Sequence, residues 1–159
     1  MTPPEDRPLI VATDLDGTLL RSDGSVSERT RAALAAARAG GITVVFVTGR
    51  PPMFLTDMAQ ATGHTGTAIC ANGAIVLDLA TLQPSTIAAF EAEGVPGLIS
   101  DLASLPGRIE GRVMMLHPDL GEYRLMGLAE DLPARARQRV EQGWSVYKIV
   151  AVGDALPDL

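Results

Sequence analysis

The sequence has 159 residues, 47% hydrophobic but only 4% aromatic, so any core must consist mainly of Ala, Val, Leu and Ile. Its 13 basic and 19 acidic residues give a net charge of −6, which argues against a general nucleic-acid or anionic-membrane binder. Cys70 is the only cysteine, no apolar run could span a bilayer, and the first residues lack the pattern of a signal peptide. We therefore predict a cytoplasmic protein with no nucleic-acid or membrane partner.

The first part of the chain begins with a strand and a helix. Residues 9–13 are apolar and rich in β-branched side chains, which predicts a strand buried on both faces. Ser27 stands where an N-cap belongs, ahead of the Ala-rich residues 31–39. Gly40 and Gly41 follow and predict the end of that helix.

The same order then repeats. Residues 42–47 predict a second buried strand. The two prolines at positions 51 and 52 predict the start of a helix over residues 51–62. Residues 67–71 predict a third strand. An Asn-Gly pair at positions 72 and 73 predicts a tight turn into a hairpin strand over residues 74–77. This alternation is typical of an α/β fold with a parallel sheet and right-handed crossovers.

Beyond about residue 81 the pattern changes to shorter elements separated by prolines. This indicates an α+β segment, and we place a domain boundary near residues 80–84. The predicted elements of this segment are helices over 95–105 and 133–142 and strands over 108–116 and 145–152.

Two carboxylates follow directly on the first strand. Asp14 and Asp16 are one residue apart and precede Gly17 and Thr18. Ligands bind beyond the carboxyl ends of strands in open α/β sheets, and neighbouring carboxylates that point in different directions can hold different catalytic roles. The alternative is a turn residue followed by a tight-turn Asp-Gly pair. The apolar strand before the pair and the Gly-Thr-Leu-Leu after it argue against that alternative.

The ends of the predicted strands resemble motifs of a known superfamily. Residues 14–20, Asp-Leu-Asp-Gly-Thr-Leu-Leu, resemble the first motif of the haloacid dehalogenase superfamily, D-x-D-G-T-[LV]. Residues 47–50, Val-Thr-Gly-Arg, resemble its second motif, and residues 71–74, Ala-Asn-Gly-Ala, resemble a hairpin of the Cof-type phosphatases. The match covers residues 8–77. It implies a Rossmann-like, three-layer α/β core with a parallel sheet and an inserted α+β cap.

The resemblance implies roles for individual residues. Asp14 would be the nucleophile that forms an aspartyl-phosphate, and Asp16 the general acid and base. Thr48 would donate a hydrogen bond to the phosphoryl oxygens, although it could also be a simple strand-terminal hydroxyl. Mg²⁺ would bind the Asp14 carboxylate and the Asp16 main-chain carbonyl. The remaining candidates, for substrate binding, are Gly17, Gly49, Arg50, Asn72 and Gly73. For Arg50 the alternative is a solvated side chain. For Asn72 and Gly73 the alternative is a plain turn.

Two further family elements are missing from the first part of the chain, a catalytic lysine and an acidic G-D-x-x-x-D motif. Lys148, the only lysine, precedes Gly153, Asp154 and Asp158, which fit the letters of that motif. However, Lys148 lies only six residues before Asp154, inside one predicted strand. A complete core would also need a further helix and strand. We therefore expect residues 1–81 to be the N-terminal part of the core and residues 82–159 part of the cap, in an apparently truncated fold.

The cap interpretation predicts that residues 147–152 pair with residues 108–116 in a separate sheet. His64 and His117 have no partner at zinc-ligand spacing, which argues against a zinc site.

The predicted function is a Mg²⁺-dependent hydrolase of a small phosphorylated metabolite, a sugar phosphate or similar compound, in a chain without the later motifs. The alternatives are a phosphomutase of the same superfamily and a non-catalytic binding fragment. The motifs specify neither the individual substrate nor the oligomeric state, nor whether the chain continues past Leu159.

Overall fold

Two separate β-sheets are present in the computed structural model, which describes residues 10–104, 108–117 and 121–153. The chain divides into two units, residues 1–87 and 88–159. The first unit contains β1 (Ile10–Asp14), α1 (Glu28–Ala39), β2 (Thr43–Val47), α2 (Leu55–Thr62), β3 (Thr67–Cys70), β4 (Ile75–Asp78) and β5 (Gln83–Ile87). The second contains α3 (Val95–Ala103), β6 (Ile109–His117), β7 (Gly121–Leu128), α4 (Leu132–Glu141) and β8 (Ser145–Gly153).

The first sheet has the strand order β1-β2-β3-β4-β5. Strands β1, β2 and β3 are parallel, as predicted, and β4 returns antiparallel to β3 through the predicted hairpin. Strand β5, which pairs antiparallel with β4, was not predicted from the sequence. Its residues are mostly polar and include Pro84, which a strand tolerates at the edge of a sheet because proline has no N–H to donate.

Helix α1 begins and ends where its sequence predicts. The Ser27 hydroxyl accepts a hydrogen bond from the Thr30 N–H (2.9 Å), which satisfies one of the otherwise unpaired amides of the first turn. Gly41 has a φ of 77°, a left-handed conformation that glycine adopts without steric cost. Helix α2 ends at Thr62 as expected, but a short 3₁₀ turn, Pro52–Phe54, precedes it.

The prediction that β1 is buried on both faces is wrong. Ile10 is 63% exposed and Val11 38% exposed. Within the described residues β1 pairs with β2 alone and is an edge strand, and α1 buries none of its residues. Strand β2 is buried on one face, through Val44 and Phe46, and not on both as expected.

The second unit packs two helices against one face of the antiparallel sheet β7-β6-β8. The predicted pairing of residues 147–152 with 108–116 is confirmed, since Lys148 lies opposite Met114 in the register of β8 with β6. Strand β7 was not predicted, because its glycines and charged residues interrupt the alternation of apolar and polar residues that indicates a strand. The core residues are Val95, Ile99, Val113, Met115, Leu125, Leu132, Ala136, Trp144 and Val146.

None of the helices described is long and apolar enough to cross a membrane.

Candidate active site

The carboxyl ends of β1, β2 and β3 lie at one edge of the first sheet. In the parallel register Asp14 pairs with Val47, and Val47 pairs with Ile69. The residues that follow these strand ends, Thr48 and Asn72, therefore share an edge with Asp14. This is the edge at which open α/β sheets bind ligands.

Buried leucines anchor the loop that carries the two aspartates. Leu15 is fully buried and Leu19 is 9% exposed, whereas Asp14 and Asp16 are exposed. The Leu20 N–H donates to the Leu15 carbonyl (2.8 Å) and closes a wide helical turn around the loop. Buried leucines thus hold the loop against the core, and both aspartate carboxylates face solvent, where a ligand can reach them.

Gly17 and Thr18 complete this loop. Gly17 has a φ of 72°, and an added Cβ would meet nothing within 4 Å, so the backbone conformation alone favours glycine at this position. The Thr18 hydroxyl donates to Asp14 Oδ2 at 3.4 Å. This long hydrogen bond restrains the Asp14 carboxylate weakly and leaves it accessible.

Arg50 connects the loops that follow β1 and β2. Its Nε and Nη2 donate to the two carboxylate oxygens of Asp16, at 2.9 and 2.6 Å. This hydrogen-bonded pair lowers the pKa of Asp16 below its usual value and raises that of Arg50. Asp16 is thus held ionised, the form that a general base needs. To act as a general acid it must first take up a proton, which requires Arg50 to release it.

Thr48 is the buried member of the site, with 4% of its surface exposed. Its hydroxyl accepts a hydrogen bond from the Arg50 N–H (3.1 Å), so its own hydrogen remains available for donation. Burial and this contact fix the hydroxyl at the end of β2. The geometry fits a group that donates to a bound oxyanion.

The loop after β2 is hydrogen-bonded to the turn after β3. The Ala71 N–H donates to the Arg50 carbonyl (2.8 Å), and the Asn72 N–H donates to the Thr48 carbonyl (3.3 Å). A Cβ at Gly49 would lie 2.6 Å from Asn72 Oδ1, so only glycine allows this approach. The sequence pattern could not predict this contact, since it depends on the pairing of β2 with β3.

The turn after β3 has an unusual backbone. Ala71, Asn72 and Gly73 have φ values of 53°, 59° and 93°, three consecutive residues in the left-handed region. For alanine this conformation costs about 1–2 kcal/mol. Such strain persists only where surrounding contacts enforce it, and it is concentrated at functional sites.

Residues 11–107, more than half of the chain, match the family model of the haloacid dehalogenase-like hydrolases. The chain belongs to this family. The resemblance to this superfamily that was drawn from the motifs at residues 14–20, 47–50 and 71–74 is therefore confirmed. The fold agrees with it, because the mixed sheet carries the matched motifs at the ends of its parallel strands.

Individual relatives extend the comparison. The chain is 26% identical over 165 residues to a pyridoxal phosphate phosphatase of Escherichia coli, covering 94% of this chain and 60% of the relative. It is 35% identical over 69 residues to a 5-amino-6-(5-phospho-D-ribitylamino)uracil phosphatase of Bacillus subtilis. That match covers 43% of this chain and 28% of the relative. A solved structure from Thermotoga maritima shares the fold, with a TM-score of 0.61 and 18% identity over 92% of this chain and 57% of that chain. The chain therefore spans less than two thirds of the length of these relatives.

The oxygen donors at this sheet edge suit a hard cation such as Mg²⁺. The predicted Mg²⁺ ligands, the Asp14 carboxylate and the Asp16 main-chain carbonyl, are oxygen atoms at an exposed position, and Mg²⁺ prefers one or two carboxylates completed by water and phosphate oxygens. No cluster of three or more His, Cys, Asp or Glu side chains occurs in the part of the chain that the structure describes. Lys148 belongs to β8 in the second sheet, and Asp154 and Asp158 lie outside the described residues.

Proposed function

We propose that the protein containing this chain is a Mg²⁺-dependent phosphomonoester hydrolase that acts through an aspartyl-phosphate on Asp14. The observation that carries the proposal is the arrangement at one sheet edge. An accessible Asp14 ends β1, an ionised Asp16 follows two residues later, and the buried Thr48 hydroxyl lies at the end of the neighbouring strand. Membership of the haloacid dehalogenase-like hydrolases supports the same assignment.

The chemistry divides into two transfers. An Asp14 carboxylate oxygen attacks phosphorus, the bond from phosphorus to the substrate oxygen breaks, and Asp16 gives that oxygen its proton. Asp16 then takes a proton from the water that attacks the aspartyl-phosphate, which releases inorganic phosphate and restores Asp14. The Thr48 hydroxyl donates to a phosphoryl oxygen in both steps. Bound Mg²⁺ would supply the positive charge that offsets repulsion between the Asp14 carboxylate and the phosphate.

Arg50 has a defined part in this scheme. Paired with Asp16, it favours the carboxylate that the second step requires. In the first step Asp16 must be protonated, and a phosphate that attracts the Arg50 guanidinium would free it to take up a proton. Binding of the substrate phosphate and release of Asp16 are thus coupled through one side chain. Gly17, Gly49, Asn72 and Gly73 shape the backbone around the same edge.

We also propose that residues 1–81 form the N-terminal part of a Rossmann-like core and residues 82–159 part of an inserted cap. Two observations support a larger core. Strand β1 exposes Ile10 and Val11 at the edge of its sheet, and the chain spans 60% of the length of the E. coli relative. A further strand beside β1 would pair the open edge and reduce the exposure of both side chains.

The substrate class follows from the relatives. The two phosphatases named above act, by their names, on pyridoxal phosphate and on a phosphorylated ribitylaminouracil, both small phosphorylated metabolites. We propose a substrate of the same general class, in a cytoplasmic setting consistent with a single, buried cysteine, Cys70, which cannot form an intrachain disulfide.

Turnover of a generic aryl phosphate tests the function. The whole protein should hydrolyse p-nitrophenyl phosphate when Mg²⁺ is present and lose the activity when the cation is chelated with EDTA. Restoring Mg²⁺ should restore the rate. A rate that is unchanged by chelation, or absent in a folded protein with Mg²⁺, would overturn the proposal and favour a non-catalytic binding role.

A further inference from the structure

The turn between β2 and α2 exposes two large apolar side chains. Met53 is 41% exposed and Phe54 is 43% exposed. Both belong to the 3₁₀ turn Pro52–Phe54, which lies between the end of β2 and the start of α2. A connection that leaves the carboxyl end of a strand lies at that edge of the sheet, so this turn shares the edge with Asp14. We call Met53 and Phe54 the apolar pair.

Arg50 links this turn to the aspartate loop. Its guanidinium is held on the Asp16 carboxylate by two hydrogen bonds. The next residue, Pro51, follows at a Cα distance of about 3.8 Å, and a turn closed by a hydrogen bond brings its ends within about 7 Å. Because the Phe54 N–H donates to the Pro51 carbonyl, the Phe54 Cα lies within about 11 Å of the Arg50 Cα. The apolar pair is thus a close neighbour of the candidate active site.

The backbone of the turn is held rigidly. The Phe54 N–H donates to the Pro51 carbonyl (3.1 Å), and the Leu55 N–H donates to the Pro52 carbonyl. Both prolines restrict φ, and the Leu55 side chain is fully buried and anchors the turn in the core. An exposed segment whose backbone is already fixed loses little conformational entropy when a ligand covers it. The turn is therefore preorganised for contact with a ligand.

The side chains of this turn offer apolar contact. Residues 51–54 are Pro-Pro-Met-Phe, and none of their side chains can make a strong hydrogen bond. Sugar hydroxyl groups placed against them would lose hydrogen bonds to water without replacement, which is unfavourable. An aromatic ring would instead gain from burial, and both a phenyl ring and a thioether make favourable contacts with such a ring.

We propose that the apolar pair contacts the organic group of the substrate and selects phosphate esters in which that group is apolar or aromatic. The inference rests on the proposed function, because it takes the phosphate to be bound at Asp14, Asp16 and Thr48. Strand β2 is paired on both sides, so a strand added to the sheet would extend it elsewhere and leave the pair to the ligand. The substrate class narrows from phosphorylated metabolites in general to those with an apolar or aromatic group near the phosphate.

Methionine methyl NMR on the whole protein with Mg²⁺ tests the contact without turnover. Benzylphosphonate and methylphosphonate both lack an ester bond to hydrolyse, and only the first has an aromatic ring. Benzylphosphonate should shift the Met53 methyl signal in a saturable way, whereas methylphosphonate should leave it in place. The buried Met58 methyl of α2 is the control and should not move. A Met53 signal that ignores benzylphosphonate would overturn the proposal. So would a shift on raising protein concentration alone, because the occupant would then be a second copy.

Kinetics with two alkyl esters test the selection. Benzyl phosphate carries an aromatic group and glycerol 3-phosphate a polar one. Phe54→Ala should lower kcat/KM for benzyl phosphate about tenfold, through the lost burial of a ring, and leave that for glycerol 3-phosphate nearly unchanged. Phe54→Leu, which keeps an apolar side chain, should lose less. Leu98→Ala removes a similarly exposed side chain from α3 and should change neither value.

The results distinguish this inference from the proposed function. If both esters are hydrolysed with the same preference in Phe54→Ala as in the wild type, the apolar selection is wrong and the proposed function stands. An equal fall for both esters would assign Phe54 a structural role and would also overturn the selection. A Met53 shift with benzylphosphonate in a protein that hydrolyses neither ester would support the contact and contradict the proposed function.

Discussion

The Arg50 guanidinium donates two hydrogen bonds to the Asp16 carboxylate, with N–O distances of 2.9 and 2.6 Å. The two residues are 34 positions apart in the sequence and meet because β1 and β2 are parallel neighbours. Both side chains are partly exposed, so solvent screens the pair and its contribution to stability is small. Its importance lies in setting the protonation state of Asp16.

Replacing Arg50 by glutamine should raise the pKa of Asp16. The lost guanidinium removes the hydrogen bonds and positive charge that favour the carboxylate form. Carboxyl ¹³C chemical shifts followed against pH measure this pKa directly. Asp78 is the internal control, because backbone N–H groups of Thr81 and Ala80 lower its pKa without Arg50. An Asp16 pKa unchanged in Arg50→Gln would refute the coupling.

A methyl group at Gly49 should disturb the contact between the two loops of the site. Gly49→Ala places a Cβ 2.6 Å from Asn72 Oδ1, and we expect it to displace that side chain and destabilise the fold by about 0.5–1.5 kcal/mol in urea unfolding. In an Asn72→Gly background the obstructing side chain is gone, so the same substitution should cost much less. Gly97→Ala, in open space on α3, is the control and should be neutral or stabilising. Equal costs of Gly49→Ala in both backgrounds would contradict the contact.

His64 should make stability depend on pH. It is 5% exposed, its ring lies 4.4 Å from that of Phe46, and burial lowers its pKa. The unfolded chain therefore binds the proton more readily, so the free energy of unfolding should fall as pH drops below about 6.5. His64→Leu should flatten this dependence, whereas His117→Gln should retain it. A slope that survives in His64→Leu would assign the effect to another group.

Strand β1 should gain protection in the whole protein. In the described part of the chain it is an edge strand with exposed apolar side chains. If later residues add a strand beside it, its amides will exchange with deuterium more slowly in the whole protein than in residues 1–159. The amides of β3, which is paired on both sides, are the control and should change little. Equal exchange of β1 in the two proteins would count against the larger core.

Much of the fold follows from local patterns in the sequence. The strands β1 to β4 and the Ser27 cap of α1 depend on short-range periodicity and turn chemistry, which is why residues 9–77 could be assigned in order. The exposure of β1 could not be predicted, since it depends on what pairs beyond its free edge. Strand β7 was missed because Gly121 and Gly127 interrupt its pattern.

The candidate site was predictable in its members but not in its contacts. The sequence motifs identify Asp14, Asp16 and Thr48 as candidate site residues, and the parallel register places them at one edge of the sheet. The bond from Arg50 to Asp16 and the closeness of Gly49 to Asn72 arise from tertiary pairing, for which the sequence has no local signal. These contacts give the site its electrostatics and shape.

Chemical trapping of the phosphorylated residue tests the central claim, that Asp14 is the nucleophile. The whole protein is mixed with substrate and Mg²⁺, quenched, and reduced with borohydride, which converts an aspartyl-phosphate to homoserine. Mass spectrometry of the peptides should find homoserine at position 14 when substrate is present, and at no position in Asp14→Asn. Homoserine at position 16 or at any other carboxylate, or turnover retained by Asp14→Asn, would contradict the account.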